Sequence, residues 1–403
     1  MIYPRLLALV FAACVLSSSS AREITTEEIK EKAALGFHLL SFAAGAEPVW
    51  KSEEETDALV SKHAHFIDVT DTYEDDLAYK AASFVKELLV VSYPPPSHQR
   101  EIAPIIGNVS LSTMQGYLTK LTSFNNRYYK APSGQEASVW IRNTVADVIT
   151  QYPTSKASVS LYVHPSWLQN SIVAKIPGSV NPNGAVTILG AHMDSIGGGD
   201  LMTSRAPGAD DDGTGTVNLL EAFRVLMKGE FRPATPVEFH WYALSPLAMY
   251  GLSCSYYMCR YSGEEAGLRG SGAIAADYKK NNVQVKSMLQ LDMTAYVKPG
   301  TQPVIAFMPD YTNANLTEFA GRLVDTYTTA KWVISEPCGY GCSDHASWHN
   351  RDYPAILPFE GLFSNINKVI HTPGDTVNVT GFSWSHSLEY AKLAAAFAYE
   401  LGA

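Results

Sequence analysis

Two short apolar runs each lead into a residue type that binds metals. Val186-Thr-Ile-Leu-Gly-Ala191 leads to His192, and Met288-Leu-Gln-Leu291 leads to Asp292. Buried strands of this kind, alternating with helix-patterned segments, predict a parallel sheet covered by helices. In such sheets, ligand-binding residues lie beyond the carboxyl ends of the strands. The remaining pattern agrees. Thr216 to Met227 spaces Val217, Leu220, Phe223 and Met227 as a helix does, and Pro236 to Tyr242 alternates like a strand. Val304 to Met308 and Ala355 to Phe359 read as further strands, and Ser385 to Leu401 as a closing helix. The expected class is α/β, with a mixed, largely parallel central sheet sandwiched by helices.

Four more residues complete a chemical set with His192 and Asp292: Asp211, the adjacent pair Glu264-Glu265, and His371. Two imidazoles and four carboxylates are the inventory of a two-zinc hydrolase. Catalytic zinc takes His and Asp/Glu ligands and keeps a position open for water. Paired metals can hold both the attacking and the departing oxygen. In His192-Met-Asp194 a carboxylate follows at the distance suited to orienting the ring. In Gly208-Ala-Asp-Asp-Asp-Gly213 three acids crowd together. They read either as an acidic helix start or as cation ligands. Adjacent Glu side chains diverge, so one can bind metal while its neighbour acts as general base. Asp344, His345 and His349 resemble a second cluster but read as structural support.

Bulk properties bound the rest. The chain has 403 residues and a net charge of −10, which argues against nucleic acid or an anionic membrane as partner. Arg5, the apolar core Leu6 to Leu16, and small residues Ser19 and Ala21 predict a secretory signal over 1–21. That core is far shorter than the roughly 20 residues of a membrane span. Residues 22–90 are rich in Glu and Lys, and Pro94-Pro95-Pro96 marks a linker. This stretch reads as a removable pro-region, the alternative being a permanent extension, with the main domain over 91–403. In an oxidising compartment Cys338 and Cys342 predict a small disulfide ring. A thiolate metal site is the alternative, but two ligands alone do not complete one. Asn108, Asn315 and Asn378 open glycosylation sequons.

Taken together, Gly-Ala-His192-Met-Asp, Pro-Gly-Ala-Asp-Asp211-Asp, Gly-Glu264-Glu265-Ala-Gly-Leu-Arg-Gly-Ser, Gln-Leu-Asp292-Met-Thr, Cys338-Gly-Tyr-Gly-Cys342-Ser-Asp-His-Ala-Ser-Trp-His-Asn and Ile-His371-Thr resemble the secreted dizinc leucyl aminopeptidases of bacteria and fungi. The resemblance covers about 99–403. It implies a zinc exopeptidase fold and two Zn2+. His192 and Asp292 would hold one ion, Glu265 and His371 the other, with Asp211 bridging. Glu264 would be the general base, and Asp194 and Asp212 would support the ligands. Tyr340 would sit beside the reacting carbonyl. Met293, Met308, Leu357, Phe359, Phe363, Ile366 and Ile370 would line a pocket for Leu and other large apolar first residues. The implied substrates are peptides with a free N-terminus, and the enzyme would be a monomer restrained by its own pro-region.

One departure stands out. In that family the strand near Trp241-Tyr242 runs directly into Ser-Gly-Glu-Glu, whereas here residues 242–260 intervene, with Cys254 and Cys259 and no acid. They read either as an unspliced intron or as a lid. A Trp codon ends in G and a Tyr codon begins with T, which forms a donor. Cys259-Arg260 can encode an acceptor. Excision restores Trp241-Tyr261-Ser-Gly-Glu-Glu in frame. If the insert abolishes activity, a non-catalytic peptidase-like binding protein becomes the alternative. A carboxypeptidase or a glutaminyl cyclase is a further reading, the one-metal cyclase being disfavoured by the full ligand set.

Overall fold

The computed structural model describes residues 24–43, 46–74, 92–163, 168–243 and 264–403. The expected signal peptide, Cys254, Cys259 and nearly all of 242–260 lie outside the described residues.

The N-terminal segment forms a small unit of its own. Helix Thr26–Ala34 is capped by the Thr25 hydroxyl, and helix Glu53–Ser61 by a reciprocal Ser52–Glu55 pair. Strands β1 (Phe37–Ser41), β2 (Val49–Ser52) and β3 (Ile67–Asp68) make an antiparallel sheet in the order β2-β1-β3. The Glu- and Lys-rich stretch is therefore part helix and part strand.

The main body carries β4 (Ser158–Tyr162), β5 (Ser171–Ile176), β6 (Val186–His192), β7 (Val237–Tyr242), β8 (Val285–Gln290), β9 (Val304–Phe307), β10 (Lys331–Ile334), β11 (Ala355–Ile356) and β12 (Pro358–Phe359). The central sheet runs β11-β8-β6-β7-β5-β4. Its β11, β8, β6 and β7 are parallel, and β5 and β4 add antiparallel pairs at one edge. A second sheet runs β10-β9-β12.

Every residue of β6 and β7 is buried, because both faces of the sheet are covered. On one face Leu189, Phe239 and Leu289 pack with Val217 and Phe223 of helix Gly215–Lys228 and with Phe397 of helix Trp384–Gly402. On the other, Ile188 and Met288 pack with Ile274 of helix Arg269–Lys280 and with Trp348. Burying one such aliphatic or aromatic side chain contributes about 1.5–3 kcal/mol.

Helices and strands fall close to their expected places, with two informative shifts. The run before Asp292 begins earlier, at Val285, and its strand ends at Gln290, so Asp292 sits two residues beyond it; His192 is the last residue of β6 itself. The expected strand 355–359 divides in two. Ala355–Ile356 pairs with β8 in the central sheet, whereas Pro358–Phe359 pairs with β9 in the second. Pro358 has no N–H to donate, and β12 is an edge strand, where that lack is tolerated.

Gly190 shows how tightly the sheet closes behind His192. A Cβ there would lie 2.5 Å from Tyr242 Cε2, 2.7 Å from Gln290 Oε1 and 2.9 Å from Met288 Cε. Gly190→Ala is expected to cost about 1–3 kcal/mol by overpacking, read as a lower midpoint in urea unfolding. An unchanged midpoint would show that these neighbours give way freely.

Candidate metal centre

The six residues picked out by the sequence converge at the carboxyl end of the central sheet. His192 Nε2 lies 3.1 Å from Asp211 Oδ1, 3.7 Å from Asp292 Oδ1 and 3.9 Å from Glu264 Oε2. His371 Nε2 lies 2.8 Å from Asp211 Oδ2 and 2.9 Å from Glu265 Oε2. Asp211 thus turns one oxygen toward each imidazole. Ligand atoms of His192, Glu264 and Asp292 lie within 4.8 Å of one another, and so do those of His192, Asp211 and Glu265. The donor set suits zinc: imidazole and carboxylate, with His192, Asp211 and Asp292 buried and Glu264, Glu265 and His371 half-buried. Glu265 Oε1 is buried and has no hydrogen-bond partner among the described residues, as a ligand atom awaiting a cation would be.

Electrostatics point the same way. Burial lowers the proton affinity of His192, but Glu264, Asp194, Asp211 and Asp292 raise it well above the ordinary range. His371 behaves alike, pulled up by Glu265 and Asp211. Burial pushes the Glu264 carboxyl far up, and Glu265 adds repulsion. Burial and the charge of Asp211 push Glu265 up to about 7. So many buried carboxylates cannot all ionise without a counter-charge, and a bound divalent ion inverts that balance.

Backbone interactions fix the ligand loops. The three acids in a row have separate jobs. Asp210 accepts from the Ala295 N–H (3.1 Å) and the Asn367 side chain (3.0 Å). Asp212 accepts from the N–H groups of Gly215 (2.8 Å) and Met293 (3.2 Å), tying the Asp211 turn to the Asp292 loop. Only Asp211 faces the imidazoles. Asp194 Oδ1 is 3.3 Å from His192 Nδ1. Gly270 is required by close approach, since a Cβ there would fall 1.4 Å from the Ala243 carbonyl oxygen.

Two supporting residues carry no sequence signal of their own. Asp375 accepts from the N–H groups of Asp210 and Asp211, both at 3.1 Å, and so joins the His371 loop to the acidic turn. Arg127 is completely buried. Its Nε donates to the Met193 carbonyl (2.7 Å), Nη1 to Pro207 (2.5 Å) and Nη2 to Gly208 (2.9 Å). One guanidinium therefore clamps the loop after His192 to the loop before Asp211. A motif search misses it because its partners are main-chain carbonyls.

The remaining candidates form the walls. Cys338 and Cys342 are disulfide-bonded and present Tyr340 to the site. A cavity of about 100 Å³ runs from the carboxylates to Met293, Met308, Phe359, Phe363, Ile366 and Ile370. Leu357 packs behind these residues in the same cluster. His345 is buried and donates through Nε2 to the Asp310 carbonyl (3.1 Å), and Asp344 accepts from Gln290 (3.1 Å). His63 and His65 were not expected here. The His63 ring lies 4.8 Å from that of His371, and His65 stacks on Tyr340 at 3.9 Å. They come from the N-terminal segment, which offers no ligand spacing in sequence.

A buried cluster of histidines and carboxylates at the strand ends of a helix-covered sheet defines a metal-dependent hydrolase. Residues 171–244 and 257–398 match peptidase family M28, and the chain belongs to that family. It is 39% identical to leucine aminopeptidase 1 of Coccidioides posadasii (strain C735) over 363 residues, 87% of this chain and 86% of that one. The protein of the same description from Aspergillus clavatus is 38% identical over 364 residues, again 87% and 86%. The LapA aminopeptidase of Legionella pneumophila superposes with a TM-score of 0.73 at 27% identity, covering 91% of this chain and 93% of its own. This chain is accordingly a zinc aminopeptidase.

Two outcomes follow for metal binding. Glu265 and both imidazoles hold protons more tightly than usual and must lose them to take up zinc. Zinc binding should therefore release protons and weaken as pH falls below about 7, where Glu265 titrates. Calorimetry in buffers of different ionisation enthalpy reads the release, and a buffer-independent heat would refute it. Arg127→Met should weaken zinc binding about 10–100-fold, the usual scale for outer groups that fix ligands. Competition with a chromophoric chelator measures this, and unchanged affinity would make the clamp incidental.

Proposed function

We propose that this aminopeptidase acts outside the cell, holds two zinc ions and removes N-terminal Leu and other large apolar residues. The observation that carries the reading is Asp211, whose two oxygens face His192 and His371 separately. His192 and Asp292 would hold one ion and Glu265 and His371 the other, with Asp211 turned toward both sets. Bound zinc supplies Lewis acidity that acidifies water and stabilises an oxyanion.

The chain's own residues do the rest. Glu264 lies beside the His192–Asp292 pair and is the base that accepts the proton of the attacking water and delivers it to the leaving nitrogen. Its burial raises its proton affinity, which suits a group that must both take and return a proton. Tyr340 stands at the edge of the cavity to position the carbonyl. The first side chain of the substrate enters between Met293, Met308, Phe359, Phe363, Ile366 and Ile370, whose apolar surface favours leucine.

Residues 22–90 serve as a pro-region. The described part supports this: His63 to Phe66 line the mouth of the cavity. Salt bridges hold the segment down, Lys130 to Glu53 (2.9 Å) and Asp57 (3.0 Å), and Arg269 to Asp71 (2.9 Å) and Asp68 (3.3 Å). Secretion fits the disulfide and the leader pattern. Asn315 and Asn378 are exposed and suit glycosylation, whereas the Asn108 side-chain nitrogen donates to the Pro104 carbonyl.

Residues 242–260 contain an insertion relative to the family. The family match passes over 245–256. Tyr242 ends β7 opposite His192, and its hydroxyl accepts from Trp348 Nε1 at 3.0 Å. Excision of 242–260 brings another tyrosine, Tyr261, to that place.

Hydrolysis of a leucyl anilide tests the reading, with and without residues 242–260, before and after chelation. Chelator-sensitive release of anilide is expected from the chain lacking the insert. Glu264→Gln should lower kcat about 10²–10⁴-fold with zinc content unchanged. Full activity in the Gln variant, or activity indifferent to chelation, would overturn the assignment.

A further inference from the structure

Residues 65–68 of the N-terminal segment lie in a two-walled cleft, and their side chains alternate between the walls. His65 stacks on Tyr340, and Ile67 packs onto Gly341. Phe66 packs onto Gly267, the Asp68 N–H donates to the Gly267 carbonyl at 3.1 Å, and the Asp68 carboxylate reaches Arg269. Such alternation, with a main-chain hydrogen bond, is how an extended peptide is held. The direction of the chain matters as well. It runs N to C from His63, at His371, toward Arg269. A peptide whose N-terminus sits at the metal centre leaves it with that same polarity.

We infer that this cleft is the channel for the leaving portion of the substrate, and that Arg269 is a subsite in it for a carboxylate of the peptide. The inference rests on the N-terminal segment being a pro-region that departs. The segment fills the cleft as a stand-in, and the two carboxylates it presents to Arg269 mark the ligand that this guanidinium accepts. Arg269 is buried beneath them, with Asp71 at 2.9 Å and Asp68 at 3.3 Å. Five residues separate His63 from Asp68, about 16 Å of extended chain at roughly 3.3 Å per residue. The preferred carboxylate is therefore an acidic side chain, or the chain's own C-terminus, about four to six residues past the scissile bond.

The test starts from the full-length chain, folded and loaded with zinc. It is then cut at a specific protease site engineered within 75–91, and the freed segment is removed. The substrates are C-terminally amidated leucyl-polyalanine peptides with one Asp walked from the second to the eighth position, each paired with its Asn counterpart. The Asp-to-Asn ratio of kcat/KM should peak about three- to tenfold at a single position, as charge-assisted contacts do. The peak should shrink with added salt, fall to unity in Arg269→Gln and persist in part in Arg269→Lys. The ratio is taken within each enzyme, so a general loss of activity in a variant cancels. The uncut chain should show no peak, since Asp68 and Asp71 occupy the guanidinium. A flat wild-type profile, a salt-insensitive peak, or a peak that survives Arg269→Gln overturns the subsite. Leucyl anilide hydrolysis before and after cutting is read separately. Equal rates there reject the pro-region reading, while the Asp walk on the cut enzyme still decides the cleft.

Discussion

Concentrated negative charge without water is the constraint around which this molecule is arranged. Asp211, Asp292, Glu264 and Glu265 meet two imidazoles at the end of a sheet whose central strands are buried on both faces. Taking ionised carboxylates out of water costs several kcal/mol each unless they are paired. Zinc meets that cost in an enzyme of this family, and the fold's task is to hold the ligands while they await it. His192 ends β6 and Asp292 lies two residues beyond β8, and both strands are paired on either side.

Main-chain polar groups supply much of that anchoring. Asp375 receives two N–H groups from the acidic turn, Asp212 receives one from its own turn and one from the Asp292 loop, and Arg127 donates to three carbonyls on two loops. These contacts do not touch a substrate. They convert four flexible connections into one rigid body, and a reacting group displaced by about 1 Å can cost roughly 100-fold in rate.

The sequence is most legible where chemistry and periodicity coincide. Val186 to Ala191 had to be a buried strand, and a histidine at its end had to face the rim of the sheet. Gly-Glu-Glu and the acidic triplet declared themselves because crowded carboxylates between glycines are expensive without a cation. Arg127 and Asp375 were illegible for the opposite reason: they act on backbone groups, which every residue has. The division of 355–359 between two sheets was hidden because periodicity does not encode which neighbour a strand finds. His63 and His65 follow helix Glu53–Ser61 in a stretch whose composition suggests only a solvated, charged extension. Their meeting with His371 and Tyr340 depends on how two separate units dock, which local sequence does not specify.

That docking uses a chemistry with a built-in weakness. The Arg269 pair with Asp68 is buried and that with Asp71 half-buried, so much of their Coulomb attraction offsets lost hydration. The Lys130 bridges lie nearer the solvent, where such pairs contribute about 0–1 kcal/mol each. An ionic clasp of this kind fixes where the segment sits more than how tightly it is held. If the segment is a pro-region, cutting the chain removes the high effective concentration that its covalent link provides. Arg269 and Lys130 then regain water as the segment's acids depart. The clasp does not act alone, since Leu40, Val60 and Phe66 of the segment pack in one buried cluster with Tyr128, Tyr129, Ile196 and Leu201. Placing Arg269 four residues after Glu265 also keeps the clasp on the same turn that carries Glu264 and Glu265. The segment is therefore registered against that turn itself, through the Asp68 N–H on the Gly267 carbonyl as well as through Arg269.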